Sequence, residues 1–352
     1  MYPPEELKNE NIKDYNDIKE EFNNANILIG NGFSINFSNA FRYEHLYDYF
    51  INRCSDTSKK LFEEFRTFNF EEILESIETA EIVCKTLDIN YEVLREKYEK
   101  IKKEIKQGFI ESISNNHVKP TDIDWDKIKL VSSQFDQFNN IFTTNYDLLL
   151  YYVILTLEDE GKKLFSDYFF SYPDEKYNYF DTDYFNKQDI LRKRHIYYLH
   201  GALFLFKQNF NTCKIKTQKN TFSLLLDEIL REIENNNYPI LVSEGTSDSK
   251  LKTITSDVYL TFCLQEFKNK TRDDNKLVIF GHSLSEQDAH LVEIIDENCK
   301  KIAISINTNI DKDKRPTMDE LRGELRHKES YFQAKFKKAE ISFYDSKTLF
   351  NF

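Results

Sequence analysis

The chain holds 352 residues, 40% hydrophobic and 31% charged, with a net charge of −12, which suits one large globular α/β domain carrying an insertion. No Lys/Arg block interleaves with aromatics, so direct nucleic-acid binding is not expected, and no apolar run approaches the ~20 residues that span a membrane. The five cysteines (Cys54, Cys84, Cys213, Cys263 and Cys299) form no CxxC pair, which excludes a zinc ribbon and points to reduced thiols in a cytoplasm.

The opening Met1-Tyr2-Pro3-Pro4-Glu5-Glu6 lacks the basic start and apolar run of a signal peptide. Residues 5–24 are charged and amphipathic and predict a helix over an edge of the fold. Asn26-Ile27-Leu28-Ile29 then reads as a buried strand running into the glycine turn Gly30-Asn31-Gly32-Phe33-Ser34. From about 56 to 115, apolar residues recur at three- and four-residue steps with almost no Gly or Pro, which predicts an inserted helical module. The domain reading is therefore 1–55 as the start of a Rossmann-like domain, 56–115 as the module, and 116–352 as the remainder.

Strand signals return at Asn140-Ile141-Phe142-Thr143-Thr144, followed by a helix through Leu148–Val153. Residues 165–190, rich in Tyr, Asp and Asn, read as an irregular loop or lid. Further strands are predicted at 196–199, 239–243, 276–280 and 301–306. Continuous apolar strands separated by helices indicate a parallel sheet buried on both faces, with ligands beyond the carboxyl ends of its strands.

Those ends carry the chemistry. In Gly30-Asn31-Gly32-Phe33-Ser34 the glycines allow close approach to a phosphate and Ser34 supplies a hydroxyl, although a G-x-G turn is equally often structural. Ile35 stands where the third glycine of the full dinucleotide fingerprint would be. Thr143-Thr144-Asn145-Tyr146-Asp147 is either a helix cap with an acidic first turn or a polar site. His200-Gly201 and Gly281-His282-Ser283-Leu284 are each ambiguous alone.

Their order resembles that of the sirtuins, over about 26 to 310. Gly30–Ser34 resembles the opening G-A-G-x-S motif, and Thr143–Asp147 resembles T-Q-N-x-D. His200-Gly201 resembles the catalytic His-Gly pair, and Pro239–Gly245 loosely echoes P-x-V-V-x-F-G-E. Gly281–Leu284 is similar to G-T-S-L, and Ile306-Asn307 to the I-N that touches adenosine. The zinc ribbon and the G-I-P-D-F-R run of deacylating sirtuins are missing. In these departures the chain resembles the sirtuin-like NAD-hydrolysing proteins of bacterial antiviral defence, and the run Gly281–His290 is similar to one such group.

The resemblance implies a sirtuin-like, Rossmann-like parallel sheet with helices on both faces, NAD as substrate, and no metal. It implies an NAD glycohydrolase that cleaves the nicotinamide–ribose bond to nicotinamide and ADP-ribose, acting in antiphage defence by NAD depletion. Asn145 would fix a water or the ribose hydroxyls, and His200, with a reference pKa near ~6.5, would take the proton. Asp147 would lie near that ribose or hold the loop. Gly30, Asn31, Gly32, Phe33, Ser34, Thr144, Gly281 and Ser283 would line the diphosphate path, with Asn307 on the adenosine ribose. His282 and His290 read as structural or partner-facing. A homo-oligomer is implied, with a partner such as a DNA-translocating ATPase or a short Argonaute. The alternatives are a non-catalytic NAD-binding sensor or scaffold subunit, and an NAD-dependent protein deacylase.

Overall fold

The computed structural model describes residues 11–89, 91–159, 165–171, 176–182, 194–208, 211–216, 222–308 and 318–350. Its strands in chain order are β1 (Ile12–Lys13), β2 (Asn26–Ile29), β3 (Asn140–Thr143), β4 (Phe165–Ser166), β5 (Phe169–Ser171) and β6 (Tyr177–Phe180). They continue with β7 (Arg194–Tyr198), β8 (Leu205–Gln208), β9 (Asn211–Ile215), β10 (Lys276–Phe280), β11 (Lys301–Ile306) and β12 (Glu340–Asp345).

Eight of these form one sheet in the order β1-β12-β11-β10-β2-β3-β7-β4, and every pairing is parallel. All residues of β2 and β3 are buried, as the apolar runs Ile27–Ile29 and Ile141–Phe142 require of strands covered on both faces, and the leading Asn26 and Asn140 satisfy each other, Asn140 Nδ2 donating to Asn26 Oδ1 at 2.8 Å. From β2 the chain moves outward to β3 and β7, then returns to β10 on the other side of β2 and continues through β11 and β12. Right-handed crossovers in opposite directions put helices on opposite faces. On one face Phe33, Phe135, Phe280 and Phe350 pack ring against ring. On the other, Phe267 of the helix Val258–Asp274 packs edge-on against Phe142, which stacks on Tyr197.

The reversal lies between β2 and β10, and the loops leaving these strands touch. Gly30 N–H donates to Phe280 O at 2.9 Å, and Gly32 N–H donates to Gly281 O at 2.8 Å. A Cβ on Gly32 would stand 2.6 Å from Gly281 Cα, and Gly281 itself has φ +63°. The close approach accounts for both glycines.

The helices Asp56–Phe65, Phe70–Thr86 and Tyr91–Asn116 stand where the helical period was read. Three expectations are corrected. Within 5–24, residues 5–10 lie outside the described residues. The remainder is β1, a short helix Tyr15–Ile18 capped by Asp14, and turns that bury Ile12, Tyr15, Ile18 and Phe22 without a continuous helix. Within 165–190, the described residues contain β4, β5 and β6 rather than an irregular loop, while 172–175 and 183–190 lie outside the described residues. β5, β6, β9 and β8 make a second, antiparallel sheet in that order. Its aromatic residues Phe169 and Phe180 pack on Tyr259 and Phe262 of the helix Val258–Asp274. Finally, 239–243 joins neither sheet. It makes a single antiparallel bridge, Leu241 to Gly201, with Val242 N–H donating to His200 O and Ala202 N–H to Ile240 O. Gly201 has φ +79°, and a Cβ there would stand 2.0 Å from Ile240 O.

Gly32→Ala tests the loop approach. It is expected to cost about 1–3 kcal/mol, as overpacking against rigid backbone does, and to lower the thermal midpoint by several degrees. An unchanged melting curve would mean that the two loops are not in contact.

Candidate active site

Sheet register brings the expected catalytic pair together. Thr143 of β3 pairs with Tyr198 of β7, and Asn145 and His200 each follow two residues later, on neighbouring strand ends. Both line a cavity of about 310 Å³, together with Gly30, Asn31, Thr144, Asp147, Gly281 and Ser283. A second cavity, of about 490 Å³, is lined by Gly32, Asn307, Gly281 and Ser283. The two share Ile35, Gly281, His282, Ser283 and Ser285 and therefore meet at the loop after β10.

Two expected ligand contacts are placed otherwise. Phe33 is fully buried among Phe37, Phe135, Phe280 and Phe350, because the short helix Gly32–Ile35 turns that side chain into the core. Ser34 is also buried, and its hydroxyl donates to Asp147 Oδ2 at 2.5 Å while accepting from Asn145 Nδ2 at 3.0 Å. Ser34 thus orients Asn145 and lines neither cavity. Asp147 also accepts Leu149 N–H through Oδ1 at 2.8 Å and so holds the loop. The N–H groups of Gly30 and Gly32 point at the β10 end and are not free for a phosphate.

The Ser34 network also fixes the Asn145 amide. Since the Ser34 proton goes to Asp147, Ser34 can only accept from the Asn145 NH₂ group. That leaves Asn145 Oδ1 buried without a hydrogen-bond partner among the described residues. An unmatched buried acceptor costs about 1–3 kcal/mol, and a donor supplied by a ligand would relieve it. His282 Nε2 is likewise unmatched, while its Nδ1 accepts Leu284 N–H at 2.9 Å.

Beneath His200 lies a charged cluster that sequence reasoning missed. Lys250, 1% exposed, donates to Glu71 Oε2 at 3.0 Å and to Asp288 Oδ1 at 2.9 Å. Glu71 comes from the first turn of the helix Phe70–Thr86, and the same helix reaches the neighbouring segment twice more. Glu75 accepts from Gln287, and Glu78 accepts from Thr246 and Ser249. Burial would lower the Lys250 pKa, but the two carboxylates outweigh it and raise it. Burial would raise Asp288, but Lys250 and the nearby histidines hold it well below the carboxylate range. Burial raises Glu71 despite Lys250. Separate acidic and basic positions in three helical or loop segments carry no shared spacing, which is why no motif announced them.

His200 Nε2 lies 3.9 Å from Asp288 Oδ1 and 3.4 Å from His290 Nε2. The Ser247 hydroxyl accepts the His290 backbone N–H at 2.9 Å and stands 3.0 Å from His290 Nδ1. Burial first, and then the Lys250 charge, pushes the His200 pKa well down. His200 is therefore a neutral imidazole at pH 7, able to accept a proton. Among the described residues no group of three His, Cys, Asp or Glu side chains is placed to hold a metal, and no helix is long and apolar enough to cross a membrane.

Residues 27–348 match the family described as Domain of unknown function (DUF4917). The chain belongs to the DUF4917 family. No curated protein matches it. The DUF4917 chain is similar to a solved structure titled "Structural Basis for the Mechanism and Regulation of Sir2 Enzymes", at 10% identity over 91% of this chain and 99% of that one. The TM-score is 0.34, too low to transfer residue roles.

The buried histidines of this DUF4917 site make stability depend on pH. Burial lowers His200, His282 and His290, the last to about 4. A histidine depressed in the fold stabilises it fully above its unfolded value of about 6.5, and that contribution is lost as pH falls toward the folded value. Between pH 6 and 4.5 unfolding should thus take up protons at each of them. His290→Gln should reduce the slope of unfolding free energy against pH by about one proton, roughly 1.4 kcal/mol per pH unit. Denaturant unfolding across that range measures it, and an unchanged slope would contradict a neutral, buried His290.

Proposed function

We propose that the protein is an NAD glycohydrolase. The observation that carries this reading is the unmatched Oδ1 of Asn145 beside a neutral His200, at adjoining strand ends in one cavity. The motif order along the chain, which resembles that of sirtuins, supports it. The cavity also fits the reacting half of the substrate. Tyr43, Phe109 and Tyr146 supply aromatic and apolar surface for a ring. Glu71, Asp147 and Asp288 outnumber Lys250, which favours a cationic pyridinium.

The reaction breaks the C1′–N bond, and its electron pair neutralises the pyridinium as nicotinamide leaves. Water attacks the oxocarbenium-like ribose, and its proton passes to His200. Because the leaving group departs without acid assistance, a base of lowered pKa suffices late in the step. Asn145 Oδ1 accepts from the attacking water or a ribose hydroxyl and fixes its position. Asp288 stabilises the imidazolium as it forms.

Incubation with NAD should release nicotinamide and ADP-ribose, and His200→Ala or Asn145→Ala should lower the rate by at least ~100-fold. The fold, read by circular dichroism, should be retained. The rate should hold level as pH falls through 6.5, since His200 is depressed, and decline only further down. Full activity in either folded variant would sink the assignment. Nicotinamide release only with an acylated peptide would make the protein a deacylase, and binding without turnover a sensor.

The finer part of the proposal is an effector of antiphage defence that depletes NAD, held silent until it assembles. At about 1 s⁻¹, the low end of ordinary turnover, an unrestrained hydrolase would starve its own cell. Exposed Ile82, Val83, Leu87, Ile89 and Val93 near the junction of the helices Phe70–Thr86 and Tyr91–Asn116 support self-association. Turnover per molecule should rise across a protein concentration series, or on adding a partner such as a DNA-translocating ATPase or a short Argonaute. A constant high rate under all these conditions would end the gating idea.

A further inference from the structure

The cavity at the end of β11 differs in charge from the one that holds Asn145 and His200. Its described lining residues include the cations Arg42 and Lys328 and no carboxylate, whereas the first cavity carries Glu71, Asp147 and Asp288 against Lys250. The sign of the lining charge changes where the cavities meet, at Gly281, His282, Ser283 and Ser285. A nicotinamide dinucleotide has a matching asymmetry, with a cationic ring at one end and phosphates beyond it. Its adenosine half would then lie in the second cavity.

In doubly wound sheets, a carboxylate at a strand end selects the unphosphorylated dinucleotide. It accepts from the adenosine ribose 2′-hydroxyl and repels a 2′-phosphate, while an arginine in its place accommodates the phosphate. Here β11 ends at Ile306, and Asn307, the neutral and exposed amide that follows it, lines the cavity. Arg42, an exposed residue, enters from the segment after β2, and its Nε donates to Asn39 Oδ1 at 3.1 Å. Lys328 enters from the helix Met318–Lys335. Neither cation forms an ion pair among the described residues. Two cations without a carboxylate partner in a cavity rimmed by serine hydroxyls are suited to a dianionic phosphate.

We propose that this cavity binds a phosphomonoester on the adenosine ribose, so that the protein takes the 2′-phosphorylated dinucleotide NADP. The proposal rests on the glycohydrolase reading for the identity of the other half of the ligand. Its test reads binding alone, so that the two can fail separately.

Calorimetric titration of the full chain with 2′,5′-ADP, 3′,5′-ADP and 5′-AMP provides that test. The 2′,5′-ADP should bind at least tenfold more tightly than either of the others. Arg42→Ala and Lys328→Ala should each remove roughly tenfold of that advantage, as loss of one charge-assisted contact implies, and leave 5′-AMP binding unchanged. Equal binding of 5′-AMP and 2′,5′-ADP would overturn the proposal, as would equal binding of the 2′- and 3′-phosphates. So would variants that weaken all three ligands alike, which would assign the cations to the 5′-phosphate. Nicotinamide release from NAD with no preference for 2′,5′-ADP would leave the glycohydrolase standing and remove only this inference.

Discussion

Lys250 is an ammonium group taken almost wholly out of water, and the site depends on how that charge is met. Glu71 and Asp288 meet it from the helix Phe70–Thr86 and from the loop after β10. Residues 71, 250 and 288 are remote in sequence, so one ammonium holds three segments around the floor of one cavity. Removing a single member of such a buried set typically costs about 3–5 kcal/mol, because the remaining charges stay buried without compensation. The cluster also sets the electrical surroundings of His200. Lys250 opposes its protonation, while Asp288 favours it.

The parallel sheet does the rest of the positioning. Ile29, Thr143, Tyr198 and Phe280 pair in register across β10, β2, β3 and β7, so the residues just beyond them share one level. At that level the glycines of two loops touch, the Ser34–Asp147–Asn145 network orients an amide, and the 239–243 segment closes over His200. Leu284, buried with φ +50°, belongs to the same loop as Gly281, and its strain is held by Tyr331 donating to its carbonyl.

The central strands were legible because burial on both faces leaves unbroken apolar runs ending in polar or glycine turns. The candidate site was legible as an order of strand ends, and register then brings Asn145 and His200 together. What was not legible is instructive. Phe33 and Ser34 sit inside a motif that reads as ligand-binding, yet the turn directs one into the core and spends the other on a second-layer contact. Pro239–Ser243 has the composition of a buried strand, but its backbone pairs with the segment 200–205, and its Val242 carbonyl also accepts from the Tyr146 hydroxyl. The small antiparallel sheet escaped notice because its aromatic strands are short and interrupted. Glu71, Lys250 and Asp288 could be found only in three dimensions, since each alone is an ordinary charge on a helix or loop.

The central claim is that two joined cavities of opposite charge hold one nicotinamide dinucleotide across the β2/β10 reversal. A crystal structure of His200→Ala soaked with the intact dinucleotide tests it most directly. The account predicts nicotinamide against the Glu71–Lys250–Asp288 side, a ribose hydroxyl or water on Asn145 Oδ1, and adenosine at Asn307. A dinucleotide bound outside both cavities, or with its two halves reversed, would contradict it.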